Sequence, residues 1–425
     1  MMKFKYILSA VIFSFFFFGC DFIITPEGGD DTGVEQGPSP DPEQDPEQNP
    51  DQEPETIPDP QETGRFNIIA WSDITNDGDP SDCEWKLQKL VEADFNMYLG
   101  WFDTAEKVEF VLSTADKVGI DIITSSPELE SDTQTMVKKM SAHKSLYGYH
   151  IMDEPSERHF PGLANRINNI RKYDPVRPCY VNLYPNWAWG DIDSYRYKLN
   201  AFLTKVPQRF LSFDHYPIRE IYGVSTLREE WYKNLEDIRY VAKAKKVPFW
   251  AFALSLSVGD EAEKCPIPTT AELRLQHFSN LAYGAQGFQY WTFHGIYRTS
   301  KSQIYDRVLQ VNKELQALSK IFLGAEVTDV WHTGAELPYG TKALEKMPEG
   351  IKSLVTSDKG AVVSRVVKGS NTYIAIVNKD YQADMTLDIE FSGKAMKFDN
   401  MGYKAEAQSE RVTLSPGNII VYQIN

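Results

Sequence analysis

Cysteine is scarce: the 425 residues hold four, Cys20, Cys83, Cys179 and Cys265. They show none of the paired spacings that bind zinc, which excludes zinc ribbons and fingers. None of the seven histidines falls in a His-Glu-x-x-His or similar metal-ligand spacing, so no catalytic metal is expected. No Gly-rich loop follows any strand-like run, which removes the usual nucleotide-binding readings, and no other cofactor is implied. Without a Gly-x-Ser-x-Gly elbow, Ser255 and Ser257 are not expected to act as nucleophiles. Basic residues are missing altogether from 21–64, where fourteen Asp and Glu fall. Two lysines precede that stretch, so of a net charge of −16 only −4 remains from Arg65 onward. The folded part is close to neutral, and charge gives no argument for a nucleic-acid partner.

What is present begins with an address. Met1-Met2-Lys3-Phe4-Lys5 precedes an apolar run through Phe18, the charged head and short apolar body of an export signal. Gly19-Cys20 at its end resembles a bacterial lipobox, although Phe17 and Phe18 depart from the usual Leu and small residue. The resemblance implies that Cys20 is lipidated, giving an exported protein anchored by lipid to the outer membrane or cell surface. Residues 38–60 repeat loosely in fours, as in Asp41-Pro42-Glu43-Gln44 and Asp45-Pro46-Glu47-Gln48. Low hydrophobicity, charge repulsion and frequent proline make this an extended disordered spacer. At ~3.1 Å per residue such a spacer reaches roughly 100 Å or more.

From Arg65 short β-branched or aromatic runs alternate with helical segments, the signature of βα units around a parallel sheet. Eight runs stand out: 66–71, 96–100, 121–124, 146–152, 179–183, 210–214, 249–253 and 287–291. Helix starts are marked by Ser81-Asp82, by Ser225-Thr226 ahead of a long segment to Lys245, and by the capping-box pattern Thr269-Thr270-Ala271-Glu272. Eight strands and about as many helices over some 260 residues fit a (β/α)8 TIM barrel. Beyond residue 323 the period changes to strand-like alternation, with turns such as Ser415-Pro416-Gly417, as in a small antiparallel β-sandwich. The expected organisation is thus 1–20 signal, 21–64 spacer, 65–324 barrel and 325–425 β-sandwich. Cys83 and Cys265 both fall in or near predicted loops on one face of the barrel, which leaves a disulfide between them open.

A barrel does its chemistry at the C-terminal ends of its strands. Tyr147-Gly148-Tyr149-His150-Ile151-Met152-Asp153-Glu154-Pro155 is an apolar run ending in two carboxylates, which makes Glu154 the first catalytic candidate. The same residues would also cap the next helix, with acids and proline in its first turn. Other strand ends offer Trp71 and Asp73, Trp101 and Asp103, Asn182 and Tyr184, then Asp214, His215 and Tyr216, and finally Gln289, Trp291 and His294. Trp187 and Trp189 follow strand five. Carboxylates among indole and phenol rings suit a sugar, whose C–H faces stack on aromatics while its hydroxyls bind acids and amides. The chain is 13% aromatic, so any single ring is as readily a core residue. His150, inside a strand, reads as a core group.

Met152-Asp153-Glu154-Pro155, Phe213-Asp214-His215-Tyr216-Pro217 and Gln289-Tyr290-Trp291 resemble the clan A glycoside hydrolases, such as β-galactosidases and cellulases. The resemblance implies a carbohydrate substrate, with Glu154 as general acid/base and Trp71, Trp101, Asp153, Asn182, Tyr184, His215, Tyr216, Gln289 and Trp291 around the sugar. Two departures stand out. Asp153 replaces the usual Asn, and the strand-seven run ending Leu254-Ser255 carries no nucleophilic Glu at its tip. Asp214 is then the preferred second carboxylate, a base in an inverting scheme, with Asp73 or the loop acids Asp260, Glu261 and Glu263 as alternatives. Asp214 reads equally as an acid orienting His215 or a nearby tyrosine. The rival function is a catalytically inactive barrel that binds glycans at the surface.

Overall fold

Strands buried on both faces need continuous apolar runs rather than alternation, and eight such runs form one parallel sheet here. The computed structural model describes residues 63–72, 74, 80–292 and 303–424. The export segment, Cys20, nearly all of the acidic spacer, Asp73 and His294 lie outside the described residues. The strands are β1 (Asn67–Trp71), β2 (Met97–Trp101), β3 (Asp121–Ser125), β4 (Leu146–Asp153), β5 (Cys179–Asn182), β6 (Leu211–Phe213), β7 (Phe249–Leu254) and β8 (Gly287–Trp291). They run in the order β5-β4-β3-β2-β1-β8-β7-β6. A parallel bridge between Leu183 and Phe213 brings the two edges together, giving the TIM barrel expected from the sequence. Around it lie α1 (Pro80–Glu92), α2 (Ala105–Val118), α3 (Thr133–Ser141), α4 (Phe160–Arg171), α5 (Tyr195–Lys205), α6 (Trp231–Lys245), α7 (Thr270–Tyr283) and α8 (Gln303–Phe322).

Local chemistry sets several of these boundaries. Thr269 Oγ1 accepts from the Glu272 amide at 3.2 Å while Glu272 Oε2 accepts from the Thr269 amide at 2.7 Å, a reciprocal cap that starts α7. Gly119, at φ 80°, stops α2 in the left-handed conformation that suits glycine. In β4, Gly148 sits where a Cβ would come within 2.6 Å of the Pro178 carbonyl oxygen, so β4 and β5 approach closely only because no side chain is there.

Two expectations are corrected. Ser225 and Thr226 do not open a helix: Val224–Leu227 is a strand, and α6 begins at Trp231. Val224–Leu227 pairs with Ile218–Ile221 across Tyr222-Gly223, both at positive φ, the geometry of a tight two-residue hairpin. This hairpin joins Val258–Gly259 and Glu263–Cys265 in a four-stranded arm beside the barrel mouth. Nor do Cys83 and Cys265 pair, because Cys83 lies buried within α1 and Cys265 within the arm, both as free thiols.

Beyond α8 a six-stranded antiparallel sheet and a three-stranded one face each other, enclosing Leu354, Ile374, Ile376, Leu387, Ile389 and Tyr422. The outer face of the larger sheet, with Val362, Val366, Tyr373 and Val377, joins the apolar layer between strands and helices. The barrel and the sandwich thus share one continuous core.

Candidate active site

Strands β4, β5 and β6 end side by side, and their tips bring three acids together. On β5, alternation points Tyr180 and Asn182 to the same side; on β6 and just beyond, it does the same for Ser212 and Asp214. Glu154 follows β4 at φ 48°, a left-handed conformation uncommon for a residue with a side chain. An extended strand would send Asp153 and Glu154 to opposite faces. The reversal at Glu154 lets both acids reach the same place, with the Glu154 amide donating to the Asn182 carbonyl oxygen at 2.9 Å.

A chain of hydrogen bonds fixes the acids from below. The Tyr180 hydroxyl donates to Gln289 Oε1 at 2.6 Å, and Gln289 Nε2 donates to Ser212 Oγ at 2.8 Å. Ser212 Oγ donates to Asn182 Oδ1 at 3.0 Å. Asn182 Nδ2 then gives one proton to Asp153 Oδ1 at 3.1 Å and the other to Asp214 Oδ1 at 3.0 Å. Both Asn182 protons are spent on carboxylates and its oxygen accepts from Ser212, so the amide has one orientation. Such a network confines both aspartates to single rotamers.

Charge crowds this wall. Burial raises the Glu154 carboxyl far above the usual range, and the charges of Asp214 and Asp153 raise it further. Glu154 and Asp214 share a hydrogen bond in which Glu154 keeps the proton and Asp214 accepts it. Asp214 is itself pushed up, first by burial and then by Asp153, with Asn182 pulling the other way. Asp153 rises to about 6 through burial, offset in part by the Asn182 amide. Its side chain is open to solvent while protein surrounds it, the setting of a group lining an open cleft. Near neutrality the arrangement holds one protonated acid beside carboxylates, which is the equipment for general acid catalysis.

Rings surround the acids. Tyr184 and Tyr216 feel all three carboxylates, which together with burial raise both phenols. Tyr216 stacks on Trp291 at 5.7 Å, and Trp101, 40% exposed, stacks on His150 at 5.1 Å. Four ring residues expected around the sugar are therefore half-buried or exposed at the mouth. The other expected contacts are corrected. Gln289 is 0% exposed with both amide atoms engaged, and Asn182 is spent on the acids, so both support the site from beneath. Trp71, 2% exposed, lies edge-on to Trp101, Tyr180 and Phe252 as part of the barrel filling. His215 alternates away from Asp214 and Tyr216 and is buried towards Arg219 and Arg228. Trp189 packs in the core on Phe160 and Tyr195, while Trp187 is exposed under the Arg228 guanidinium at 4.4 Å. Two members of the relay, Tyr180 and Ser212, were missed from sequence. The signal was their spacing of two from Asn182 and Asp214.

Most of the other acids offered by the sequence are engaged elsewhere among the described residues, and Glu261 is exposed in the loop of the arm. Asp214 does not face Glu154 across a water, as an inverting base must, because the two carboxyls touch. At the tip of β7, Ser255 is buried and donates to the Thr292 carbonyl oxygen at 2.6 Å. Asp103 pairs with Lys107 at 2.9 Å, Glu263 with Arg219 at 2.8 Å, and Asp260 binds the amides of Ala262 and Glu263. Glu272, close to the β7 tip, is held in the α7 cap. Among the described residues no group of three or more His, Cys, Asp or Glu is arranged to hold a metal ion.

Residues 156–322, from just beyond Glu154 to the end of α8, match the family model of glycoside hydrolase family 42, described as beta-galactosidase. The chain is similar to barrel glycoside hydrolases. A glycoside hydrolase family 5 structure from Bacteroides vulgatus superposes with a TM-score of 0.51 at 10% identity, covering 85% of this chain and 89% of that one. An endo-beta-1,4-mannanase from Thermotoga petrophila gives a TM-score of 0.44 at 11% identity over 82% of this chain and 97% of its own. At these identities the likeness is one of fold. No curated protein matches the chain.

Proposed function

We propose that this protein hydrolyses glycosidic bonds, with Glu154 as the acid that protonates the departing oxygen. The observation that carries the reading is the Glu154 carboxyl at the tip of β4, kept protonated by burial and by Asp214 and Asp153, among rings suited to a sugar. A proton held near neutrality beside a leaving oxygen is what raises the rate of C–O cleavage. The match of residues 156–322 to a glycosidase family supports the same reaction class. Export and lipid attachment at Cys20 complete the proposal, placing the barrel at a cell surface to act on a glycan outside.

The test is Glu154→Gln, which keeps the shape and removes the proton. Release of 4-nitrophenol from a panel of aryl glycosides should fall by about a thousandfold in kcat, with an unchanged melting curve. Wild-type turnover in that variant would sink the assignment. Cys20→Ser should move the protein from the membrane to the soluble fraction.

A further inference from the structure

We propose that the sugar cleaved here carries a 2-acetamido group, β-linked, and that this group supplies the nucleophile that the barrel wall does not. The inference rests on the glycosidase reading above and deepens it by naming the substrate class.

Hydrolysis by two carboxyls sets them on opposite sides of the reacting carbon, ~5–5.5 Å apart for retention or ~6.5–9.5 Å apart for inversion. The described acids instead stand on one side. Glu154 and Asp214 share a hydrogen bond, and Asp153 and Asp214 share the two protons of one amide nitrogen on Asn182. All three therefore stand on the wall made by β4, β5 and β6. Across the mouth, the β7 tip presents Ser255, whose hydroxyl is bound to the Thr292 carbonyl. Among the described residues, the acids nearest that tip are tied up in the α7 cap and the arm. Among the described residues no carboxylate opposes the donor, and a nucleophile carried by the substrate is a recognised exception to the two-carboxyl rule.

An acetamido group on C2 is such a nucleophile, and it makes a specific demand that this wall meets. Its carbonyl oxygen attacks C1 from the face opposite the leaving group, which requires a 1,2-trans, hence β, linkage in gluco- or galacto-configured sugars. As the new O–C1 bond forms, the C1–O bond to the aglycone breaks, and Glu154 gives its proton to the departing oxygen. Positive charge then spreads over the amide, and its N–H needs a carboxylate to accept the bond or the proton. Asp153 can meet that need, because it adjoins Glu154, opens to solvent, and has its Oδ1 fixed by Asn182. In the second half, ionised Glu154 takes a proton from water and the hydroxide attacks C1. The ring opens, the amide recovers its proton from Asp153, and the product keeps the β configuration. Water and glycoside become sugar and alcohol with every proton returned.

The experiment compares 4-nitrophenyl 2-acetamido-2-deoxy-β-glucoside and β-galactoside with the corresponding plain β-glucoside and β-galactoside, using the purified protein. Cleavage should be confined to the acetamido pair. Replacing the acetyl methyl by mono-, di- and trifluoromethyl weakens the carbonyl as a nucleophile, so kcat should fall stepwise, by about a hundredfold or more overall. Asp153→Asn should lower kcat by about a hundredfold with little change in KM. The thiazoline analogue of N-acetylglucosamine should inhibit competitively. Glu154-dependent cleavage of the plain glycosides, or a kcat indifferent to fluorine, would overturn the inference while leaving the glycosidase reading standing. Failure to cleave either series would overturn both.

Discussion

The tips of β4 and β7 stand on the same rim of one barrel, yet they are built for different ends. Around β4 the strand ends carry three acids, an amide that bridges two of them and a left-handed residue that turns the third inward. At β7 the rim is closed by a serine hydroxyl bound to a neighbouring carbonyl. The contrast shows that the barrel supplies positions and that the residue type at each tip decides whether chemistry happens there. It also leaves the described acids one-sided, all three on the same wall.

Breaking the rich side should give the largest effect. Asn182→Leu removes the donor that lowers both Asp153 and Asp214, so activity should fall by about a hundredfold. The kcat/KM profile of the intact protein should lose activity on the acid side with a midpoint near 6, where Asp153 gains its proton. It should lose activity on the alkaline side as Glu154 gives its proton up. In Asn182→Leu the acid limb should move to higher pH, because a carboxylate without its donor protonates more readily. An unmoved limb would show that Asp153 does not set it.

Filling the bare side should cost stability and bring no activity. Ser255→Glu puts a charge where 1% of the serine is exposed, and urea denaturation should reveal a loss of ~2 kcal/mol. Gain of turnover on plain glycosides would instead mark that tip as the seat of a missing nucleophile. The smallest change is expected from the rim ring. Trp101→Ala should raise KM about fivefold at nearly constant kcat, since one ring contact contributes about 1 kcal/mol.

The barrel was legible in the sequence because parallel strands buried on both faces cannot hide their apolar runs, and the Thr269–Glu272 cap was legible from its spacing. The arm was not. Its strands of two to four residues, such as Val258–Gly259 and Glu263–Cys265, carry no periodicity, and Ser225-Thr226 looks like a helix cap in any context. At the site, residue type pointed to the acids of β4 and β6 but not to their contact, which depends on how adjacent tips converge as the sheet closes. No propensity announces a left-handed glutamate. Nor does the identity of a tryptophan tell Trp71, inside the barrel filling, from Trp101 on the rim, because a displacement of two residues along the strand decides it.

The direction of β1 has a mechanical corollary. The strand enters at Asn67 at one end of the barrel and climbs to Trp71 at the end that carries the acids, so the described chain enters the barrel on the face away from them. Under the anchoring proposed above, any pull would come on that face and leave the strand tips clear for a substrate.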